Sequence, residues 1–312
     1  MSRIPHLPRA WKAAVAAGAT TLAALAGLLS PAAHAAGTAA AEHRTLAYYQ
    51  TQYQDGVYVS PLPLKDIATH IEVAALHLNG DGSVHLNDHP PTDPRYDRMW
   101  TDIAELQASG TKSLVLLGGA APGTYTNLHK DFPRYYGLLK ETLQRHGFDG
   151  VDLDIEERFS LADTERLIRQ LRADFGDGFI ITLTPVASDL SGGSRFSGGF
   201  SYKRLEQDLA SDIDWYTGQF YCGWGSLGST SGYDAIVANG FSPSRVLTGA
   251  LTNPANCSGY VDPGTLASTL RSLVAAYPTF AGAAGWEYFN AVPVNGTGPA
   301  SWYANVAGAM SS

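Results

Sequence analysis

From residue 46 onward, short apolar runs rich in Val, Ile, Leu and Tyr recur about eight times, most followed by a stretch of helical periodicity. The runs at 46–49, 71–78, 113–117, 150–155, 180–184, 215–221, 246–251 and 283–288 have the length and composition of strands. Several helices between them carry clear starts and stops. Asp93 and Pro94 stand as N-cap and first helical residue, Met99, Ile103 and Leu106 share the following face, and Gly110 ends it. Phe132, Tyr136, Leu139 and Leu143 form the next face, closed by Gly147. Ser160 with Asp163 predicts a capping box, with Leu167, Leu171 and Phe175 on the buried side and Gly176 beyond. Leu266, Leu270 and Leu273 repeat the pattern ahead of Pro278.

Strands alternating with helices predict parallel βα units with right-handed crossovers. Eight such units in about 270 residues predict an α/β fold, a single-domain (β/α)8 TIM barrel. The competing architecture is an open doubly wound sheet, which announces itself by a glycine-rich phosphate turn after an early strand. Here the first strand runs into YYQTQYQDG instead. Neither an internal repeat nor a long linker is visible.

The N-terminus departs from this rhythm. Arg3, Arg9 and Lys12 precede an uncharged run over 13–29, and Ala33-His34-Ala35 follows as a small-residue cleavage box. This predicts a secretory signal peptide over 1–35 and a mature domain over 36–312; an N-terminal membrane anchor is the alternative. Cleavage changes the charge balance. The whole chain carries −8, whereas residues 36–312 hold 18 Lys and Arg against 29 Asp and Glu, or −11. An acidic chain does not suit a nucleic-acid backbone. With 45% hydrophobic and 16% charged residues, intrinsic disorder is excluded as well. Two cysteines are too few for a four-ligand zinc site, but export permits a disulfide between Cys222 and Cys257. No cofactor, metal ion, membrane contact after cleavage, or oligomer is called for, so a monomer is expected.

In a barrel, chemistry is expected at the C-terminal ends of the strands. The fourth strand reads DGVDLDIEE from Asp149 to Glu157. By strand parity Asp152, Asp154 and Glu156 project from one face in steps of roughly 7 Å, and Val151, Leu153 and Ile155 from the other. A solvated acidic loop would not alternate in this way, and a calcium loop would need a turn with a central glycine. Three inward carboxylates cannot all ionise freely. Desolvation and mutual repulsion raise at least one pKa, which is how a general acid keeps its proton near neutrality.

The motif D-x-x-D-x-D-x-E at this position resembles the signature of glycoside hydrolase family 18. AYYQT, VHLND, LLGGAAPGTY, GFDGVDLDIE, ITLTPVAS, DIDWYTGQFY and GWEYFN extend the likeness over nearly the whole mature chain. Together they are more similar to secreted fungal endo-β-N-acetylglucosaminidases of the Endo T type than to typical chitinases. The resemblance implies Glu156 as general acid, Asp154 as the holder of the substrate's 2-acetamido group, and Asp152 as its proton-sharing partner. The acetamide oxygen then serves as nucleophile and configuration is retained. Asp149 has the opposite parity and is expected to support the strand, and Glu157 has the wrong parity to replace Glu156. It also implies a substrate-binding set of Tyr221, Gln219, Trp286, Gly118, Gly119, Tyr48 and Glu287, with Trp286 as an apolar floor under the sugar. The implied substrates are N-glycans of glycoproteins, high-mannose chains foremost, with chitin or chito-oligosaccharides as the alternative. A non-catalytic carbohydrate-binding protein is a third reading, disfavoured because the acid Glu156 is present.

Other motifs carry less. The Gly118–Gly119 run lacks the lysine of a phosphate loop, and reads as a place where substrate nears the backbone. His77, His85 and His89 flank an NGDG turn expected to cap a hairpin; their spacing matches no metal motif. No G-x-S-x-G is present. SGGSRFSGG and GWGSLGSTSGY are expected to be mobile loops on the substrate face. Asn256 and Asn295 head N-x-S/T sequons.

Overall fold

The computed structural model describes residues 43–311; the leader read at 1–35 lies outside the described residues. Eight parallel strands run in order around a closed barrel: β1 (Arg44–Tyr49), β2 (His70–Leu78), β3 (Lys112–Gly118), β4 (Gly150–Asp154), β5 (Ile180–Leu183), β6 (Trp215–Gln219), β7 (Val246–Leu251) and β8 (Gly282–Trp286). β1 closes the ring by pairing with both β8 and β2. The helices are α1 (Asp97–Ala108), α2 (Thr124–Lys130), α3 (Phe132–His146), α4 (Leu161–Phe175), α5 (Ala187–Leu190), α6 (Tyr202–Leu209), α7 (Ser231–Ala238), α8 (Pro263–Ala276) and α9 (Ala300–Met310).

Local chemistry sets most boundaries as the sequence predicts. The Ser160 hydroxyl accepts the Asp163 amide proton and opens α4, and Gly147 ends α3 in the left-handed region at φ 63°. Asp93 also caps as expected, but through its Arg95 amide contact it starts a 3-10 turn, Pro94–Tyr96, that tightens before α1 begins. β2 runs on into an antiparallel hairpin with Val84–Leu86, closed by the turn over 79–83.

Parity divides the core in two. Val73, Val115, Leu117, Val151, Leu153, Ile181 and Leu183 face outward and pack under the helices. Leu46, Tyr48, Ala74, Leu114, Leu116, Trp215, Leu247 and Ala284 fill the barrel interior. The interior layers also fix the partners of the acidic residues: Asp152 lies opposite Leu116 and Thr182, and Tyr48 opposite Glu72.

Four strands end earlier than their apolar pattern suggests, β5 by one residue at Leu183. β4 stops at Asp154, β6 at Gln219 and β8 at Trp286, so Glu156, Tyr221, Glu287 and Tyr288 stand on the first residues of loops. The Gly119 amide still reaches the Asp154 carbonyl at 2.9 Å, after which β3 and β4 diverge and the ladder ends.

Candidate active site

Asp152, Asp154 and Glu156 form a row that climbs from the barrel interior to its C-terminal rim. Asp152 is fully buried, Asp154 is 6% exposed, and Glu156 is half-buried on the loop beyond. Thr182 donates to Asp152 Oδ1 at 2.5 Å and Thr184 donates to its Oδ2. Burial raises the pKa of Asp152 to about 6, the two threonine donors opposing that rise. Burial also drives Asp154 well above the ordinary carboxylate range, helped by the negative charges of Glu156 and Asp152 on either side. Glu156 is pushed up by desolvation and drawn back by the Gln219 amide. The row is thus proton-rich at its upper two members, the condition for a carboxylic acid that can donate near neutrality.

The neighbouring strand ends close around it. Gln219 Nε2 donates to the Thr184 carbonyl at 2.9 Å and lies 3.3 Å from Asp154 Oδ1 and 3.5 Å from Glu156 Oε1. Two amide protons face three acceptors, so the Thr184 contact orients the group and the carboxylates share what remains. Tyr221 is buried beside the row; burial and the charges of Asp154 and Glu156 keep it a phenol. The Tyr48 hydroxyl sits 3.0 Å from Thr184 Oγ1, whose proton points at Asp152, so Tyr48 is the donor of that pair. Trp286 meets Tyr48 edge-on with ring centroids 5.4 Å apart and keeps part of its surface open.

Gly118 and Glu287, both in the expected substrate-binding set, have structural partners of their own. A Cβ on Gly118 would lie 2.5 Å from the Tyr125 ring and 2.6 Å from the Asp154 carbonyl, at a φ of 94°, so glycine is required there by packing. Gly119 is the one whose Cα faces Asp154 Oδ2. Glu287 spends both oxygens on the loop after β1, accepting the Gln50 and Thr51 amides and the Thr51 hydroxyl. Asp149 supports the scaffold, as parity predicts, and Glu157 does so too. Asp149 takes the Ser113 amide, and Glu157 takes the Gly123, Tyr125 and Thr126 amides at the start of α2.

The loop after β5 is held rather than loose. Asp189, buried, accepts the Ser194 hydroxyl and the Phe196 and Ser197 amides, which brings Phe196 against Trp224 at 4.6 Å. Asn256 is no free glycan acceptor: its amide donates to the Trp286 carbonyl at 2.8 Å and accepts from Asn290. Cys222 and Cys257 form a disulfide with Cα atoms 5.5 Å apart. His77 and His85 face each other across the hairpin as a cross-strand pair.

One buried acid escaped the sequence reading. Glu72 on β2 is fully buried in the interior, and neither of its oxygens receives a hydrogen bond. The signal was available, since HIEVAALHL puts one charge inside an otherwise apolar strand, at the inward parity. Thr182 and Thr184, the donors to Asp152, were likewise hidden within an ordinary β-forming run.

Beside the row, a groove of about 770 Å³ opens between the loops after β1, β2 and β3. Its walls are tied to the row through chain neighbours, Glu157 beside Glu156 and Glu287 beside Trp286. His77, Asn79, His85 and Asp88 line it with polar side chains, whereas Gln52 and Asn87 spend their amides on each other and on the backbone of the groove floor, and no indole lines it.

A closed parallel barrel with an acid row at the rim of its fourth strand defines a (β/α)8 protein of the glycoside hydrolase kind. The chain belongs to the glycosyl hydrolases family 18, whose sequence profile matches residues 44–242. It is 43% identical to a fungal endo-β-N-acetylglucosaminidase of that family (TM-score 0.81, covering 85% of this chain and 97% of that one). It is 45% identical to a chitinase from Aspergillus fumigatus (TM-score 0.79, covering 86% and 99%). Among curated relatives, it is 26% identical to Chitinase D of Niallia circulans over 46% of this chain and 30% of that protein. It is 24% identical to Endochitinase 37 of Trichoderma harzianum over 61% and 62%. The chain therefore spans less than two thirds of the length of these curated relatives.

Proposed function

We propose that this protein hydrolyses the β-1,4 bond within the N,N'-diacetylchitobiose core of N-glycans, leaving one GlcNAc on the asparagine. The observation that carries the chemistry is the buried row of Asp152, Asp154 and Glu156, whose upper two members Gln219 bridges. Glu156 gives its proton to the glycosidic oxygen while the acetamide oxygen of the cleaved sugar bonds to its anomeric carbon. Asp154 accepts a hydrogen bond from the acetamide N–H as positive charge develops there, and Tyr221 and Gln219 steady the same group. Water then attacks the anomeric carbon, giving a proton to Glu156 and reopening the oxazolinium ring, so configuration is retained. Trp286 supplies the apolar floor, with Tyr48 meeting it edge-on.

The polar groove supports an N-glycan over chitin, because branched hydroxyl-rich sugars are held by amides, imidazoles and carboxylates such as those of Asn79, His77 and Asp88. Chitin is the second reading. The aromatic pair Phe196–Trp224, with Phe196 42% exposed, favours it as a stacking surface, as does the likeness to the Aspergillus fumigatus chitinase. Mass spectrometry of a high-mannose glycoprotein after incubation decides between them. Released glycan ending in one GlcNAc supports the first reading; no release together with cleavage of chito-oligosaccharides replaces it by the second.

We also infer export as a monomeric barrel over 36–312, on the strength of the leader pattern and the Cys222–Cys257 disulfide. N-terminal sequencing of protein recovered from culture medium should begin at Ala36. A chain retained with its first residues intact overturns this.

A further inference from the structure

The acid row includes one carboxyl more than the catalytic steps use. We infer that Glu72 is a positioning residue: a hydrogen-bearing carboxyl that donates to Asp152 from beneath and holds it as the acceptor for the proton of Asp154. The inference rests on the reading of Asp152, Asp154 and Glu156 as the catalytic row.

Glu72 projects into the barrel from β2, opposite Tyr48 and beside Leu114 in the ladder. It is 0% exposed, so water does not solvate it, and no protein donor reaches either oxygen. The titratable groups that face it are Asp152 and Asp154 from β4, Tyr48 from β1 and Tyr221 from the end of β6; none is a cation. An ionised carboxylate in that place would be desolvated, unpaired and beside two other acids, which is the costliest state a carboxyl can occupy. The proton stays, and burial with the charges of Asp152 and Asp154 drives its pKa well up.

A protonated carboxyl has one O–H that needs an acceptor. Asp152 lies within hydrogen-bonding reach, and this contact lowers its proton affinity as the threonine contacts do. Three donors therefore converge on Asp152: Thr182, Thr184 and Glu72. Asp154 has only the long Gln219 contact. The arrangement makes Asp152 the aspartate that carries the charge, and leaves Asp154 free to hold a proton and release it towards Asp152.

The test compares Glu72→Gln with Glu72→Leu in the full protein. Glutamine keeps a donor at this position; leucine removes it. Loss of the donor makes Asp152 easier to protonate, so in Glu72→Leu the acidic limb of the kcat/KM profile should move up by about one pH unit. In Glu72→Gln it should stay within about 0.3 of a unit of the native limb. A residue that only fills space would lower stability or amplitude in both variants and move neither limb. An infrared difference spectrum, native minus Glu72→Gln at pH 7, should contain the C=O stretch of a protonated carboxyl. That readout needs no substrate, and it still decides if Glu72→Leu does not fold. A limb unmoved in Glu72→Leu, equal movement in both variants, or no protonated-carboxyl band overturns the inference. A native protein inactive on both glycans would instead defeat the proposed function and leave the infrared result standing.

Discussion

Replacing Asp152 by Asn removes a charge from the centre of the barrel, and the structure sets how stability should then respond to pH. Asp152 is fully buried, and its pKa lies at about 6. In the unfolded chain an aspartate titrates at about 3.9. Between those values the folded protein still holds a proton that the unfolded chain has released. A raised folded pKa contributes stability that is fully present below about pH 4 and is lost as pH rises through 6. At about 1.4 kcal/mol per unit, the loss is about 3 kcal/mol. Asparagine does not titrate, so Asp152→Asn escapes it. The amide has a constant cost of about 1 kcal/mol, because one carbonyl oxygen replaces two acceptors that now serve Thr182 and Thr184. The variant should therefore be about 1 kcal/mol less stable than the native protein near pH 4, and about 2 kcal/mol more stable near pH 7.5. Urea unfolding followed by tryptophan fluorescence across that range measures both. An offset that stays constant with pH would refute the reasoning, since it would mean Asp152 titrates alike in the folded and unfolded chains.

Three further outcomes follow from the same geometry. Glu156→Gln should lower kcat by about 10²- to 10⁴-fold with the fold intact, and native activity should fall on the alkaline side above the ordinary glutamate range, because burial raises the pKa of Glu156; turnover near the native level in the variant excludes Glu156 as the acid. Gly118→Ala should cost about 3 kcal/mol in urea melts, since its Cβ meets the Tyr125 ring and the Asp154 carbonyl, whereas Gly119→Ala, whose Cβ makes ordinary contacts with Asp154 Oδ2 at 3.5 Å and Leu116 at 3.8 Å, should cost about 1 kcal/mol for its positive φ and depress activity more than stability. Equal losses would mean the two glycines are not divided as described. Cys222→Ala with Cys257→Ala should lower stability by about 4 kcal/mol, the entropy of a loop closed over a separation of 35 residues; a melting curve unchanged by the double substitution would show that the link does not constrain the unfolded chain.

The barrel was legible because its signal repeats. Each strand presents apolar residues on its outward face at period two, and α3, α4, α6 and α8 carry side-chain caps. The acid row was legible for the same reason: Asp152, Asp154 and Glu156 alternate with Val151, Leu153 and Ile155, and period two fixes their common face. What parity does not contain is where a strand stops. Glu156, Tyr221 and Glu287 each stand past the last ladder bond, where direction is set by contacts distant in sequence. Glu287 is the clearest case. Nothing near GWEYFN reveals that Gln50 and Thr51, more than 200 residues earlier, will bring their amides to it. Glu72 failed to stand out for a different reason. A single acid in an apolar strand is visible, but its meaning depends on β2 and β4 lining one interior, and that follows only from closure of the barrel.

The carboxylates of this protein sort by the donors they meet rather than by where they stand in the chain. Asp149 and Asp154 are five residues apart on one strand region, yet they are opposites. Asp149 takes the Ser113 amide, the Gln107 amide and the Lys112 ammonium, and is held below the ordinary aspartate range despite partial burial. Asp154 meets one long contact and lies well above that range. Glu157, Glu287 and Asp189 share with Asp149 only their backbone donors: amides converge on each, and each fixes a loop at the rim, while burial still raises Glu287. Asp154, Glu156 and Glu72 are short of donors, so they retain protons and the capacity to move them. The donor-rich acids fix the loops that stand around the donor-poor ones. A loss at Glu287 or Asp189 should therefore reach the row through the shape of the rim loops that each holds.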